Sequence, residues 1–192
     1  MLSPARPLFH SPVAGVVHAA PGSRAARGRM INVALVFVCQ AFHSLTFIGL
    51  ALFLPLIRED LQISYTQAGV LSVAATLSYT LGQIPAGFLA DRFGPRRLFC
   101  IGLMGWSILS LALGLIHGYW LAVLTLFVAG AFRAMLFAPG LALLASWYPR
   151  EHGAMSMSLY MLGAYTGNIL LALAGPAIAA VLGWRSAMIL FA

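Results

Sequence analysis

Apolar residues fall in long runs separated by short polar clusters, and the run lengths are the first constraint on the fold. Residues 30–57 contain no charged side chain. At 1.5 Å per helical residue this stretch is more than enough to cross a hydrocarbon core about 30 Å thick. The cluster Arg58-Glu59-Asp60 closes it, and Gln62-Ile63-Ser64-Tyr65-Thr66-Gln67 leads into a second run over about 68–90. A third covers about 98–116, and the turn His117-Gly118-Tyr119-Trp120 puts an aromatic pair at an interface. A fourth reaches about Tyr148, and a fifth covers about 154–182. Beyond Gly183-Trp184-Arg185 a sixth begins, of which the sequence to Ala192 holds about one and a half turns. The pattern predicts an all-α integral membrane helix bundle over residues 30–192, with five transmembrane helices plus the start of a sixth.

Residues 1–29 differ. They carry Arg6, Arg24, Arg27 and Arg29, four prolines and no acidic residue, and no apolar run long enough for a signal sequence. They read as a disordered basic cytoplasmic tail, with an organellar transit peptide as the weaker alternative.

Composition excludes a soluble domain: 61% of residues are hydrophobic and 8% charged, with a mean hydropathy of +0.94. Cys39 and Cys100 lie inside apolar runs, with no disulfide framework or zinc spacing, and read as small core residues. The net charge of +7 comes from eleven arginines placed mostly at the ends of apolar runs, so topology explains it better than a nucleic-acid partner. Under the predicted topology Arg6, Arg24, Arg27, Arg29, Arg92, Arg96, Arg97 and Arg150 fall on one side of the bilayer, Arg58 and Arg185 on the other, and Arg133 within a span. The positive-inside rule makes the first side the cytoplasm and places the amino terminus there, in a multi-pass protein of the cell membrane.

One stretch carries a specific motif. In Gly87-Phe88-Leu89-Ala90-Asp91-Arg92-Phe93-Gly94-Pro95-Arg96-Arg97 an apolar run stops against one carboxylate and three guanidinium groups, and the next run follows at once. This predicts a tight cytoplasmic hairpin. Gly87 removes a side chain where another helix could approach, and Gly94 permits the reversal. Asp91 can accept hydrogen bonds from a helix N-terminus, and the arginines hold the loop inside. The stretch closely resembles the loop between the second and third helices of major facilitator superfamily transporters, whose signature is Gly-x-x-x-Asp-Arg-x-Gly-x-Arg-Arg. Pro55-Leu56-Ile57-Arg58-Glu59-Asp60-Leu61, followed by Ser64 and Gln67-Ala68-Gly69, resembles that family's first external loop. Trp147-Tyr148-Pro149-Arg150-Glu151-His152-Gly153 resembles its Trp-Phe-Pro-x-x-Glu-Arg-Gly connection, with His152 where an arginine is usual, and Gly183-Trp184-Arg185 resembles the opening of its sixth helix.

The resemblance implies the amino-terminal half of a fold in which two six-helix bundles rock about a substrate site near the bilayer midplane. It also implies that Asp91 meets the amino end of an eleventh helix and helps latch the outward-facing state. The 192 residues supply at most one bundle, so the implied partners are the lipid bilayer, a small-molecule substrate and the missing C-terminal six-helix half. A chain ending partway into a span favours a fragment over a half-size bundle acting as a dimer.

Polar residues inside spans are the candidates for substrate contact, because each is costly in hydrocarbon unless it faces a cavity or a partner. Gln40, His43 and Ser44 share one face of the first helix, and Tyr79 and Gln83 share one face of the second. Arg133 lies near the middle of the fourth, and Tyr165, Thr166 and Asn168 near the middle of the fifth. The third has only Ser107 and Ser110, which need no more than a backbone carbonyl. The resemblance implies that the first and fourth helices border the cavity. His43 divides evenly between a packed neutral ring and a ligand or proton site. Tyr79, Gln83 and Asn168 fit helix-to-helix hydrogen bonding better than substrate contact. Arg133 cannot shed its charge and has no intramembrane carboxylate in the sequence to meet, so it must face water, an anion or a carboxylate in the missing half.

The sequence thus points to a secondary transporter moving a small solute by alternating access. The solute is expected to be an anion such as a carboxylate or organophosphate, with Arg133 as the main contact and His43 as the site of any proton coupling. The competing reading is a non-transporting assembly or signalling bundle. No hydrolase, metalloprotease or nucleotide-loop motif is present, so no enzyme, cofactor or metal is expected. Gly175-Pro176 begins like the family's antiporter motif, but Ala179-Ala180 replaces its glycine pair and Leu171 stands where an earlier glycine is expected, so antiport is not supported.

Overall fold

A computed structural model describes residues 23–148 and 153–191. They form five helices: α1 (Ser23–Asp60), α2 (Tyr65–Phe93), α3 (Pro95–Leu115), α4 (Tyr119–Ala145) and α5 (Gly153–Phe191). Helix α1 begins seven residues before the expected start of the span, because charged residues end an apolar run without ending a helix; its apolar part is Met30–Asp60. The rest of the expected tail, residues 1–22, lies outside the described residues, as do Arg150, Glu151 and His152 of the Trp147–Gly153 connection.

Among the described residues four helices are long and apolar enough to cross a membrane: Met30–Asp60, Pro95–Leu115, Tyr119–Ala145 and Ala154–Phe191. The expected second span lies in α2, which at 29 residues is long enough but is made more polar by Ser72, Thr76, Ser78, Tyr79, Thr80 and Gln83. Thr76 and Thr80 satisfy their hydroxyls on the carbonyls of Ser72 and Thr76, four residues back on the same helix. The helical path of α5 breaks at Gly183, whose φ of 79° and ψ of 160° lie outside the range an L side chain adopts readily. Residues 184–191 then turn back onto the bundle, where Trp184, Ala187 and Met188 are buried.

Short connections fix the topology. Ser64 caps α2 reciprocally with Gln67: its hydroxyl accepts from the Gln67 amide at 3.2 Å, while the Gln67 side chain accepts from the Ser64 amide at 2.9 Å. Gly94 alone joins α2 to α3, with φ at 84° and Pro95 starting the next helix, where its missing N–H costs nothing. Asp91, Arg92, Arg96 and Arg97 are exposed at this end of the bundle, and a Cβ on Gly87 would meet nothing within 4 Å. The close helix approach expected at Gly87 is therefore not made among the described residues.

Helix α2 packs along α4, α1 along α5, and α3 against α4. Small residues draw these pairs together: a Cβ on Gly130 would run into the carbonyl oxygen of Ala75, and one on Gly167 into that of Ala41. Large apolar side chains cover the outside, with Ile84 and Phe88 about seven-tenths exposed and Val181 more so. Such a surface is stable only against lipid or another apolar bundle. At the end opposite the Gly94 hairpin, Arg185 pairs with Asp60 and donates to the carbonyls of Ile116 (2.7 Å) and Gly114 (3.4 Å). That one side chain ties the break at Gly183 to the ends of α1 and α3.

Candidate functional site

The site grows from the polar face of α1. Gln40, His43, Ser44 and Thr46 are all buried, and the bundle treats each differently. The Ser44 hydroxyl donates to Asn168 Oδ1 on α5 at 2.7 Å. Thr46 donates to Phe42 O in its own helix and, at 2.7 Å, to Phe191 O beyond the Gly183 break. Neither ring nitrogen of His43 nor the side-chain oxygen of Gln40 has a partner. His43 instead meets the indole of Trp106 edge to face, with ring centroids 5.3 Å apart. Together with Cys39, Thr46 and Ser107, the two rings line a pocket of about 150 Å³ between α1 and α3.

Arg133 sits mid-way along α4 and is largely buried. Its guanidinium carbon lies 3.4 Å from the centroid of the Phe47 ring on α1 and 4.0 Å from that of Tyr79 on α2. Both rings are in van der Waals contact with the group, so aromatic surface from two helices covers part of it. Among the described residues no carboxylate pairs with it; the two ion pairs there, Arg58–Glu59 and Arg185–Asp60, lie at the far end of the bundle. Among the described residues its Nε is sealed without a hydrogen-bond partner, while the two terminal nitrogens have no protein acceptor there and are not sealed. A positive charge partly covered by rings and with its end donors open can hold one anionic group end-on, through two parallel hydrogen bonds.

The structure thus brings together part of the expected set. Arg133 and Tyr79 touch, and His43 reaches them through a relay of rings, since Phe47 lies against Arg133 and 6.2 Å from Trp106. Asn168 is tied to Ser44 and holds α5 to α1. Tyr165 points outward at 61% exposure, and Thr166 bonds back to Leu162 O. Two participants escaped the sequence reading, Phe47 and Trp106, because an aromatic residue in an apolar run looks the same whether it meets lipid or a cation. The four-residue step from His43 to Phe47, which puts both on one face of α1, was the available signal. Tyr160 was also missed; it is fully buried and donates to Leu136 O at 3.0 Å, bracing α5 on α4.

Comparison with known proteins matches residues 36–192 to the family model of the Major Facilitator Superfamily. Among curated proteins, the D-galactonate transporter of Escherichia coli O6:H1 (strain CFT073) is 28% identical over 149 residues, which is 78% of this chain and 34% of that protein. The probable L-galactonate transporter of Escherichia coli K12 is 30% identical over 136 residues, 69% of this chain and 29% of that protein. The phosphoglycerate transporter protein of Salmonella typhimurium is 29% identical over 137 residues, with the same two shares. The chain spans about a third of the length of these relatives.

Proposed function

Because the chain belongs to the major facilitator superfamily, we propose that it forms the amino-terminal bundle of a secondary transporter that moves a small organic anion by alternating access. In this reading α2 is a spanning helix despite its polar residues, the break at Gly183 separates a fifth span from the start of a sixth, and the amino terminus lies in the cytoplasm. A second six-helix bundle closes the cavity opposite α1 and α4.

The observation that carries the proposal is Arg133. It is a guanidinium in the middle of a span, and among the described residues it has neither an acidic partner nor an acceptor for its end nitrogens. Leaving such a charge unpaired in a low-dielectric interior costs several kcal/mol, and an anionic ligand removes that cost. Two relatives named for galactonates and one named for phosphoglycerate support the same substrate class. Among the described residues Glu59, Asp60 and Asp91 lie at helix ends and none lies within the interior of a span, which leaves His43 as this half's site for a coupled proton. Asp91, exposed beside Gly94, is free to engage the second bundle and latch one conformation.

The test is competitive binding to the purified transporter as the cell makes it, using D-galactonate and 3-phosphoglycerate as anions, galactose as a neutral sugar and galactosamine as a cation. Arg133→Lys should keep part of the anion affinity, Arg133→Gln should lose it, and the other two sugars should bind weakly throughout. A preference for galactosamine, or an Arg133→Gln variant that binds anions like wild type, would reassign Arg133 to a carboxylate of the second bundle.

A further inference from the structure

Resting on the reading of Arg133 as the anion contact, we infer that Phe47 and Tyr79 are positioning residues that hold its guanidinium in one plane, and that Tyr79 acts through its ring, not through a hydroxyl bond to the substrate. Three observations meet here. The guanidinium carbon lies 3.4 Å and 4.0 Å from the two ring centroids, so both rings touch the group. Among the described residues no neighbour accepts a hydrogen bond from it, and Nε is sealed. The rings come from α1 and α2, and the cation from α4, where α2 is drawn close by the Ala75–Gly130 approach.

An arginine in a span is usually oriented by hydrogen bonds from its own side chain. Among the described residues no acceptor takes such a bond, and contact with the two rings does the orienting. That contact leaves the in-plane donors for a ligand, and because Nε is closed off the ligand must approach the two terminal nitrogens end-on. A carboxylate or a phosphate edge fits that approach, whereas a hydroxyl on a neutral sugar gains only one weak bond. The rings thus act as specificity determinants without touching the substrate. They also make lysine a poor replacement, since an ammonium has no plane to be held and no second parallel donor.

The test combines binding with a spectroscopic readout on the whole transporter. D-Galactonate affinity is measured for Tyr79→Phe, Tyr79→Leu, Phe47→Leu and Arg133→Gln, with galactose as the neutral control. Tyr79→Phe keeps the ring and should bind within about twofold of wild type, while each leucine variant should weaken galactonate about tenfold and leave galactose unchanged. Independently of any variant's folding, the ¹⁵N spectrum of the arginine side chains in wild type should show one guanidinium with hindered rotation, its signals absent in Arg133→Gln. Tyr79→Phe as weak as Tyr79→Leu would show that the hydroxyl meets the ligand and overturn the inference. Leucine variants that bind like wild type while Arg133→Gln does not would overturn it alone and leave the proposed function standing, as would freely rotating Arg133 nitrogens in wild type. An Arg133→Gln variant that binds galactonate normally would overturn the proposed function, and this inference with it.

Discussion

A single methyl group at Gly82 tests whether the site rests on close helix approach. A Cβ built there lies 2.8 Å from Ala134 Cβ, which is fixed to its backbone, and 3.7 Å from Ala131 Cα. Carbon atoms prefer about 3.5–4.0 Å, so in Gly82→Ala the two helices must separate by roughly 1 Å. Ala134 is fully buried and has no room to retreat. Overpacking of this kind costs about 1–3 kcal/mol, offset by about 1 kcal/mol from the better helix propensity of alanine. Gly69, on the same helix with nothing within 4 Å of its Cβ, supplies the propensity gain without the clash. Gly69→Ala should therefore be neutral or stabilised by about 1 kcal/mol, and Gly82→Ala should be less stable than it by about 1–3 kcal/mol. The assay is reversible unfolding of the two variants in the same detergent or bilayer. Gly82 lies one turn from Tyr79, and Ala134 follows Arg133, so the separation should also weaken galactonate binding in Gly82→Ala alone. Equal stability of the two variants would refute the tight α2–α4 seam.

Three further predictions concern other ties in the bundle. A double-mutant cycle between Ser44→Ala and Asn168→Ala, read by unfolding, should give a coupling of about 0.6 kcal/mol and no more than about 1.7, as for hydrogen bonds between membrane helices; zero coupling would return Asn168 to the substrate candidates. Asp60→Asn should cost about 0–1 kcal/mol because its partner is partly exposed, whereas Arg185→Leu, which also abandons the α3 carbonyls, should cost more, about 1–3 kcal/mol. Thermal unfolding that ranks the two the other way would remove Arg185 as the tie. Asp91→Asn should reduce uptake about fivefold or more while membrane insertion stays normal, because the charge is proposed to act between bundles and not as a topology signal; unchanged uptake would count against the latch.

Features set by local chemistry were legible in the sequence. The Gly94 reversal followed from a charge cluster between two apolar runs, and the Ser64–Gln67 leader proved to be a capping box. The isolation of Arg133 followed from counting carboxylates. Features set by packing were not legible. Nothing in the run containing Phe47 or Trp106 distinguishes a ring against a cation from a ring against lipid, and Ser44 and Asn168 are 124 residues apart. The span was legible from Met30, but the helix that carries it begins at Ser23, because hydropathy marks where a helix leaves the bilayer and not where it starts.

The pairing of α1 with α5 has a consequence for the order in which the bundle is made. Helix α1 emerges before α5, its main partner, which ends about 130 residues later, so at 5–20 residues per second it waits about 6–26 s on the ribosome's schedule. Throughout that interval Ser44 has no Asn168, Thr46 has no Phe191 carbonyl, and Gln40 and His43 face whatever surrounds the nascent helix. The polar stripe on α1 therefore passes that interval without the partners that satisfy it in the packed interior. Substitutions on it are expected to register first in membrane yield, and only afterwards in the stability of the folded protein.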